Sequence, residues 1–371
     1  MTENLHNDPA GLTGSDGLLG PVGLFAAVDL LKRLIATPSP SKHEEGTAAI
    51  IEQHLRDHDV ERIERLHNNV WARNLHFDPA KPTILLNSHH DTVAPNAGYT
   101  RDPYAPVVEG DRLYGLGSND AGASVVSLLA AFLHLYRREG MRYNIIVAIT
   151  GEEENSGHDG LESILPLLGP LSFAVVGEPT QMQLAIAERG LTVIDCIAHG
   201  KAGHAARNEG ENAIYKAIKD IEWLRTCDFP RKSEMFGAVK MSVTMISAGT
   251  QHNVVPAECR FTVDVRVTDK YTNEEVVEVI RQHLQSEVIP RSTRLKPSSI
   301  DPAHPIVQAG IALGRTTYGS PTTSDQALLD IPSLKLGPGD SARSHSADEF
   351  VHLSEIREGI ELYIKMLESI L

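Results

Sequence analysis

Histidines and carboxylates follow the apolar runs of this sequence again and again. Residues 83–87 lead straight into Ser88-His89-His90-Asp91, and residues 144–149 into Thr150-Gly151-Glu152-Glu153-Glu154. Residues 173–176 are followed by Gly177-Glu178-Pro179-Thr180, and residues 333–336 by Gly337-Pro338-Gly339 and then Ser344-His345-Ser346. A Gly-Leu-Gly-Ser turn places Asn119-Asp120 at the head of a long apolar segment. Nitrogen and oxygen donors with no thiolate suit Zn²⁺, Co²⁺ or Mn²⁺. Two histidines and three carboxylates exceed what one tetrahedral ion needs. They suit two ions, about 3.5–4 Å apart, that share a carboxylate, for which Asp120 is the natural bridge. Of two adjacent glutamates, one would ligate and its neighbour would take a proton from a water whose pKa the ions lower to about 7.

Taken singly, each of these residues has a simpler reading. An Asp at a helix start is usually an N-cap, three consecutive Glu are usually a solvated run, and Glu178 before Pro179 could merely end a strand. What sets them apart is the shared position, because ligands of an open α/β sheet gather at the carboxyl ends of its strands. Two choices stay open on the residues alone: His89 or His90 as ligand, and Glu152–Glu153 or Glu153–Glu154 as the base–ligand pair.

The elements that must position them follow from periodicity. Helical spacing runs from Leu24 through Leu34 to the Pro38-Ser39-Pro40 turn, and Ser41 with Glu44 three residues on reads as a capping box opening a second helix. Apolar runs near 83–87, 144–149, 173–176 and 333–336, with a long helix over about 121–138, predict a largely parallel sheet covered on both faces. Between about 191 and 297 the pattern changes. Strand 192–198, helix 212–224, strands 239–246 and 260–267, helix 273–285 and a weak strand near Arg294 give the order β-α-β-β-α-β of a ferredoxin-like unit. The expected fold class is therefore α/β. A mostly parallel catalytic domain is split over 23–190 and 298–371, a smaller α+β domain over 191–297 is inserted in it, and a flexible tail covers 1–22.

Composition sets the outer limits. The 371 residues carry 34 Lys+Arg against 49 Asp+Glu, a formal charge of −15, which argues against nucleic acid as the main partner. The longest span candidate, residues 18–28, is short and contains Pro21, so no membrane helix is expected. Three scattered cysteines and no visible secretory signal point to a reducing cytoplasm.

Together these residues resemble the dinuclear zinc deacylase and exopeptidase family that includes acetylornithine deacetylase, succinyl-diaminopimelate desuccinylase, aminoacylase and carboxypeptidase G. The resemblance spans about 24–371. It includes Ser88-His89-x-Asp91-x-Val93, Asp102-Pro103, Leu113-Tyr114-Gly115-x-Gly117-Ser118-x-Asp120 and Thr150-x-acid-Glu153-Glu154. It continues with Gly177-Glu178-Pro179-Thr180, Gly200-x-x-Gly203-His204, Asn253-Val254-Val255-Pro256, and Gly337-Pro338-Gly339 with His345. One departure stands out: the family's Asp-Met-Lys-Gly after the bridge is here Asp120-Ala121-Gly122-Ala123.

The resemblance implies two Zn²⁺ per chain, with Co²⁺ as a substitute. His89 and Glu178 would hold one ion, Glu154 and His345 the other, and Asp120 would bridge. Asp91 matches the carboxylate that orients the ligating imidazole, and Glu153 the general base. His204 matches the histidine that reaches the partner subunit's site and stabilises the oxyanion, which makes a homodimer the expected form. Asn253 and Arg266 match the pair that engages the substrate, and Gly339 would offer its backbone. The bland readings of His204 as a surface histidine and Arg266 as a solvated charge remain beside these. The implied activity is removal of an acyl group from the α-nitrogen of an amino acid. N-acetyl-L-ornithine in arginine biosynthesis, acetylcitrulline or succinylornithine is the first expectation. Succinyl-diaminopimelate desuccinylation, carrier-linked lysine hydrolysis or dipeptide hydrolysis is the alternative. A catalytically inert metal-binding homologue would have lost the base or a ligand, and none is lost. A lone structural ion would need fewer donors.

Overall fold

A computed structural model describes residues 23–207 and 209–371, so the tail expected over 1–22 lies outside the described residues. The chain folds into two units. One comprises the described residues up to Ile186 together with Ile300–Tyr318 and Leu329–Leu371; the other comprises the described residues of Ala187–Ser299 and Gly319–Leu328.

The first unit is organised by strands Thr83–His89, Asn144–Thr150, Phe173–Val176 and Ser333–Lys335, which lie side by side and parallel. Every residue in all four is buried, the outcome expected for continuous apolar runs with both faces covered. Helix Leu24–Ile35 buries Leu24, Ala27, Val28, Leu30, Leu31, Leu34 and Ile35, a helical stripe that packs on helix Ala123–Leu135, which in turn packs on helix Leu353–Glu368. One continuous apolar core joins these helices to the strands.

The expected parallel core is present, but the sheet as a whole is mixed. Strands Ile63–Leu66 and Asn69–Arg73 form a hairpin whose second strand runs antiparallel to Asn144–Thr150. At the other side Leu184–Glu188 runs antiparallel to Ser333–Lys335. Only two residues, His67 and Asn68, join the hairpin strands, and so short a turn permits only antiparallel pairing.

Register explains why the candidate ligands share one edge. His89 is opposite Thr150, Asn87 opposite Val176, and Lys335 opposite Val176. The four strands therefore end within two residues of one another, and the turns that follow each begin along the same rim.

Two local expectations are corrected. The long helix starts at Ala123 rather than at residue 121, and Asp120 and Ala121 have non-helical backbone in an irregular turn over Ser118–Gly122. Asp120 thus precedes the helix instead of capping it. The second helix begins at Glu45 and has no capping box: Ser41 Oγ donates to Asp91 Oδ2, 2.7 Å, and Glu44 Oε1 accepts from Lys42 N, 2.7 Å. Both side chains that read as a cap are engaged elsewhere instead.

In the second unit four antiparallel strands lie in the order Lys240–Ala248, Glu258–Val267, Gly190–His199, Glu287–Pro290. Helices Ala213–Thr226 and Asn273–His283 share an apolar core with this sheet, built on Ile194, Phe261, Val263, Val265, Val276 and Ile280. This is the ferredoxin-like order. Its last strand precedes the expected position near Arg294, because Glu287-Val-Ile-Pro290 is the stretch with β-branched residues. Residues 319–328 also join this unit, where Glu188 accepts from Ser324 N and Oγ at 2.9 and 2.7 Å.

Gly337 shows how tightly the rim is built. A Cβ there would approach Ser124 Oγ to 2.2 Å and Glu178 O to 2.5 Å. Gly337→Ala is expected to cost about 2 kcal/mol by overpacking, measured by urea denaturation of the two proteins. An unchanged midpoint and slope would contradict this packing.

Candidate metal centre

His89 is the fixed point of the cluster. It ends a fully buried strand, its side chain is 1% exposed, and its Nδ1 lies 3.1 Å from Asp91 O and 3.4 Å from Asp91 Oδ1. That arrangement leaves Nε2 facing Asp120 Oδ1 at 3.2 Å and Glu178 Oε1 at 3.7 Å. On the other side of Asp120, His345 Nε2 lies 3.8 Å from Asp120 Oδ2 and 2.9 Å from Glu154 Oε2. The two oxygens of one carboxylate thus face two different imidazoles, each with a further glutamate beside it. Donor atoms of His89, Asp120 and Glu154 all lie within 4.8 Å of one another.

The neighbouring alternatives are placed elsewhere. Both nitrogens of His90 are engaged, Nδ1 with Thr47 Oγ1 at 2.8 Å and Nε2 with Asn68 O at 2.9 Å, and its ring is buried outside the cluster. Glu152 has left-handed backbone, φ 59°, and its carboxylate folds over Gly157, where a Cβ would collide with it. The acidic turn is held by its amides: Glu152 N donates to Glu44 Oε1, Glu153 N to Asp91 Oδ1 and Glu154 N to Asp91 Oδ2, each at 3.1 Å. Asp91 therefore holds the turn of Glu153 and Glu154 as well as the His89 ring.

Two buried carboxylates in this region escaped the sequence reading. Glu44 read only as a helix cap. Glu349, four residues beyond His345, takes three amides of the turn before Asp120: Gly117 N at 3.0 Å, Asn119 N at 2.8 Å and Asp120 N at 2.9 Å. The available signal was an acidic residue just before a strand, which on its own resembles any loop.

Electrostatics follow from packing so many acids together. Burial disfavours the charged form of Glu154, and the Asp120 carboxylate beside it adds repulsion, so its pKa is pushed up to about 9. Burial and then Asp120 likewise push Glu349 up to about 7. Burial opposes the His89 cation, but hydrogen bonds to Asp120 and Asp91 and the charges of Glu153 and Glu178 outweigh it, raising its pKa well above the ordinary value. Asp91 and Asp120 are held below the usual carboxylate range: burial works against this, and the His89 imidazole more than compensates.

These donors fit a pair of divalent ions. Glu154 Oε1 is buried with no hydrogen-bond partner among the described residues, a state that is costly unless something accepts its lone pairs. His89, Asp120 and Glu178 could hold one ion, and His345, Asp120 and Glu154 the other.

The remaining predicted residues are distributed between the units. Gly339, in the first, has φ 92°, and its carbonyl accepts from Gln181 N at 2.7 Å. In the second, His204 is exposed on the short strand Gly203–His204, and its Nδ1 accepts from Ala206 N at 3.2 Å. Asn253 is exposed, and its carbonyl accepts from Ala205 N at 3.1 Å. Arg266 is half-buried and is no free solvated charge: its guanidinium is bidentate on Asp264 at 2.9 and 3.1 Å and reaches Thr323 Oγ1 at 3.2 Å.

Known proteins give this geometry a context. The profile of peptidase family M20/M25/M40 matches residues 85–369. A succinyl-diaminopimelate desuccinylase of Gluconobacter oxydans is 26% identical over 391 residues, covering 96% of this chain and 99% of that protein. A probable carboxypeptidase of Paracoccidioides lutzii is 27% identical, covering 92% and 85%. Among solved structures, an aminopeptidase of Bacillus cereus has a TM-score of 0.74 at 18% identity, covering 94% of this chain and 99% of its own. A dinuclear metal-binding peptidase of the M20 family from Bacillus subtilis has a TM-score of 0.73 at 18% identity, covering 94% and 98%. This chain belongs to the M20/M25/M40 family, and it is a hydrolase.

Hydrogen bonds to Asp120 and Asp91 favour the cationic form of His89, and burial with the nearby Asp120 charge favours the neutral form of Glu154; both must lose a proton to ligate, so metal uptake should weaken as pH falls. Calorimetric titration with Zn²⁺ at pH 7 in buffers of different ionisation enthalpy should report net proton release on binding, larger at lower pH. Uptake without proton release would remove His89 and Glu154 from the donor set.

Proposed function

We propose that this chain hydrolyses the amide of an N-acylated α-amino acid, with two divalent ions, Zn²⁺ in the first instance, held around Asp120. The observation that carries the reading is the two-sided use of Asp120, one oxygen towards His89 and the other towards His345. An N-succinyl amino acid of the diaminopimelate type is the favoured substrate, on the strength of the desuccinylases among the relatives. N-acetyl-L-ornithine, with acetylcitrulline and succinylornithine, is the second reading, supported by the order and spacing of the motifs.

The division of labour follows from the residues. When bound, the ions supply Lewis acidity, lowering the pKa of water and polarising the amide carbonyl. Glu153, with its amide fixed by Asp91, takes the proton of the attacking water and returns it to the leaving amine. Asp91 keeps the His89 ring in the tautomer that turns Nε2 inward. Arg266, its fork pre-oriented by Asp264, and Asn253 engage the carboxylate or amide of the substrate, and Gly339 offers its backbone. His204 steadies the oxyanion of the tetrahedral intermediate in a neighbouring copy.

That last role requires a homodimer, and features of the second unit support one. Tyr215 and Ile218, 67% and 53% exposed, stand one turn apart on helix Ala213–Thr226. Met245 and Ile246, 63% and 57% exposed, lie on Lys240–Ala248, the outer strand of its sheet. Exposed apolar side chains on an unpaired strand edge favour association. Cys196, Cys227 and Cys259 are free thiols, which supports a cytoplasmic setting. No helix among the described residues is long and apolar enough to cross a membrane.

Purified enzyme with added Zn²⁺ should prefer N-succinyl-diaminopimelate over N-acetyl-ornithine, N-acetyl-citrulline, N-succinyl-ornithine and a dipeptide. A tenfold preference for the dipeptide would overturn the deacylase reading. Glu153→Gln should lower kcat by about 10²–10⁴-fold with metal content unchanged. His204→Ala should lose most turnover yet remain dimeric by ultracentrifugation; near-normal turnover would remove His204 from the chemistry.

A further inference from the structure

We propose that Glu349 is a positioning residue that ties the placement of Asp120 to that of His345. Its carboxylate is buried, 1% exposed, and both oxygens are committed to one turn: Oε2 accepts from Gly117 N, and Oε1 from Asn119 N and Asp120 N. Its main-chain carbonyl also accepts from Gly115 N at 3.0 Å. The turn's own backbone bonds, Ser118 N to Gly115 O and Gly122 N to Gly117 O, leave those three amides to Glu349, since Asp120 and Ala121 lack helical backbone and the regular helix starts only at Ala123. Without an acceptor, the amides of Gly117, Asn119 and Asp120 in this buried turn would be unsatisfied, each at appreciable cost.

The position of Glu349 in the chain gives this grip a further effect. Residues 345–349 form one short loop that ends at strand Phe350–His352, which is paired with Arg112–Tyr114 just ahead of the gripped turn. Only three residues separate Glu349 from His345, whose own backbone is left-handed, φ 58°. The loop therefore presents an imidazole to Asp120 Oδ2 and holds the amide of that same Asp120. Displacing one end displaces the other, so the distance between His345 and Asp120 is set within a single segment. A glutamine cannot reproduce the grip, since its NH₂ group would face one of the amides donor to donor.

This inference rests on the reading of Asp120 as a shared ligand, so the test separates the two. Hydrogen exchange on the metal-free full-length protein reads the grip directly, and Co²⁺ titration followed by its visible absorption reads the ligand set. The peptide spanning 117–120 should exchange about tenfold faster or more in Glu349→Gln than in the wild type. The variant's Co²⁺ affinity should fall by about 10–100-fold, with an altered spectrum. Glu349→Asp keeps the charge but withdraws it by one methylene, and should lie between the two on both readouts. It also serves if the glutamine variant does not fold.

Asp220→Asn is the control. Asp220 is a buried carboxylate of the second unit that accepts from Gln285 N and Ser286 N at 3.1 and 2.8 Å, so its loss should lower stability and leave Co²⁺ uptake unchanged. If the Glu349 variants lose stability as Asp220→Asn does, while 117–120 exchange and Co²⁺ binding match the wild type, the proposal is overturned. If the wild type takes up no Co²⁺ and Glu349→Gln still frees the amides, the metal reading falls and the positioning role stands.

Discussion

The site is governed by the cost of bringing carboxylates together out of water. Asp91, Asp120, Glu154, Glu178 and Glu349 are buried or largely so, and like charges in that setting repel while losing hydration. The effect is visible in Glu154 and Glu349, whose acidity is suppressed by burial and by Asp120. Where a partner is at hand the sign reverses: the His89 imidazole keeps Asp91 and Asp120 ionised despite their burial. A pocket so rich in negative charge is tolerable in a stable fold only if cations occupy it or donors surround it.

Much of that compensation comes from the backbone. Asp91 takes the amides of Glu153 and Glu154, Glu44 that of Glu152, and Glu349 those of Gly117, Asn119 and Asp120. The turns bearing the acids are thus pinned by acids that bear no ligand role of their own. Such turns could not be held by regular secondary structure, because they must break from it at the strand ends. The sheet sets the rim through the register of four parallel strands, and these buried carboxylates set the last few ångströms.

Where the fold was legible in the sequence, a simple physical pattern carried it. Continuous β-branched runs such as 144–149 announced buried parallel strands, and the 3.6-residue stripe from Leu24 to Leu34 announced a helix. The donors were legible because they recur immediately after those runs. Other features were hidden for identifiable reasons. The hairpin at 63–73 lacks strong alternation, so the antiparallel side of the sheet was missed. Ser41 and Glu44 have the spacing of a capping box, yet a buried Asp91 and the amide of Glu152 compete more strongly for them. Glu349 makes its contacts across more than two hundred positions of chain, which no local pattern can express. Contact between distant positions, as of Glu188 with Ser324, likewise attaches residues 319–328 to the second unit.

Asp91 bonds two successive amides with its two oxygens, so the Glu153 and Glu154 backbones move as one body. An inserted or deleted residue between Gly151 and Asn155 would sever both bonds at once and misalign every acid in the turn. Within a lineage of such hydrolases, length changes here would be purged quickly. Innovation in what the enzyme accepts would instead accumulate in segments that no buried acid restrains, leaving this stretch as a ruler against which drift elsewhere in the chain can be measured.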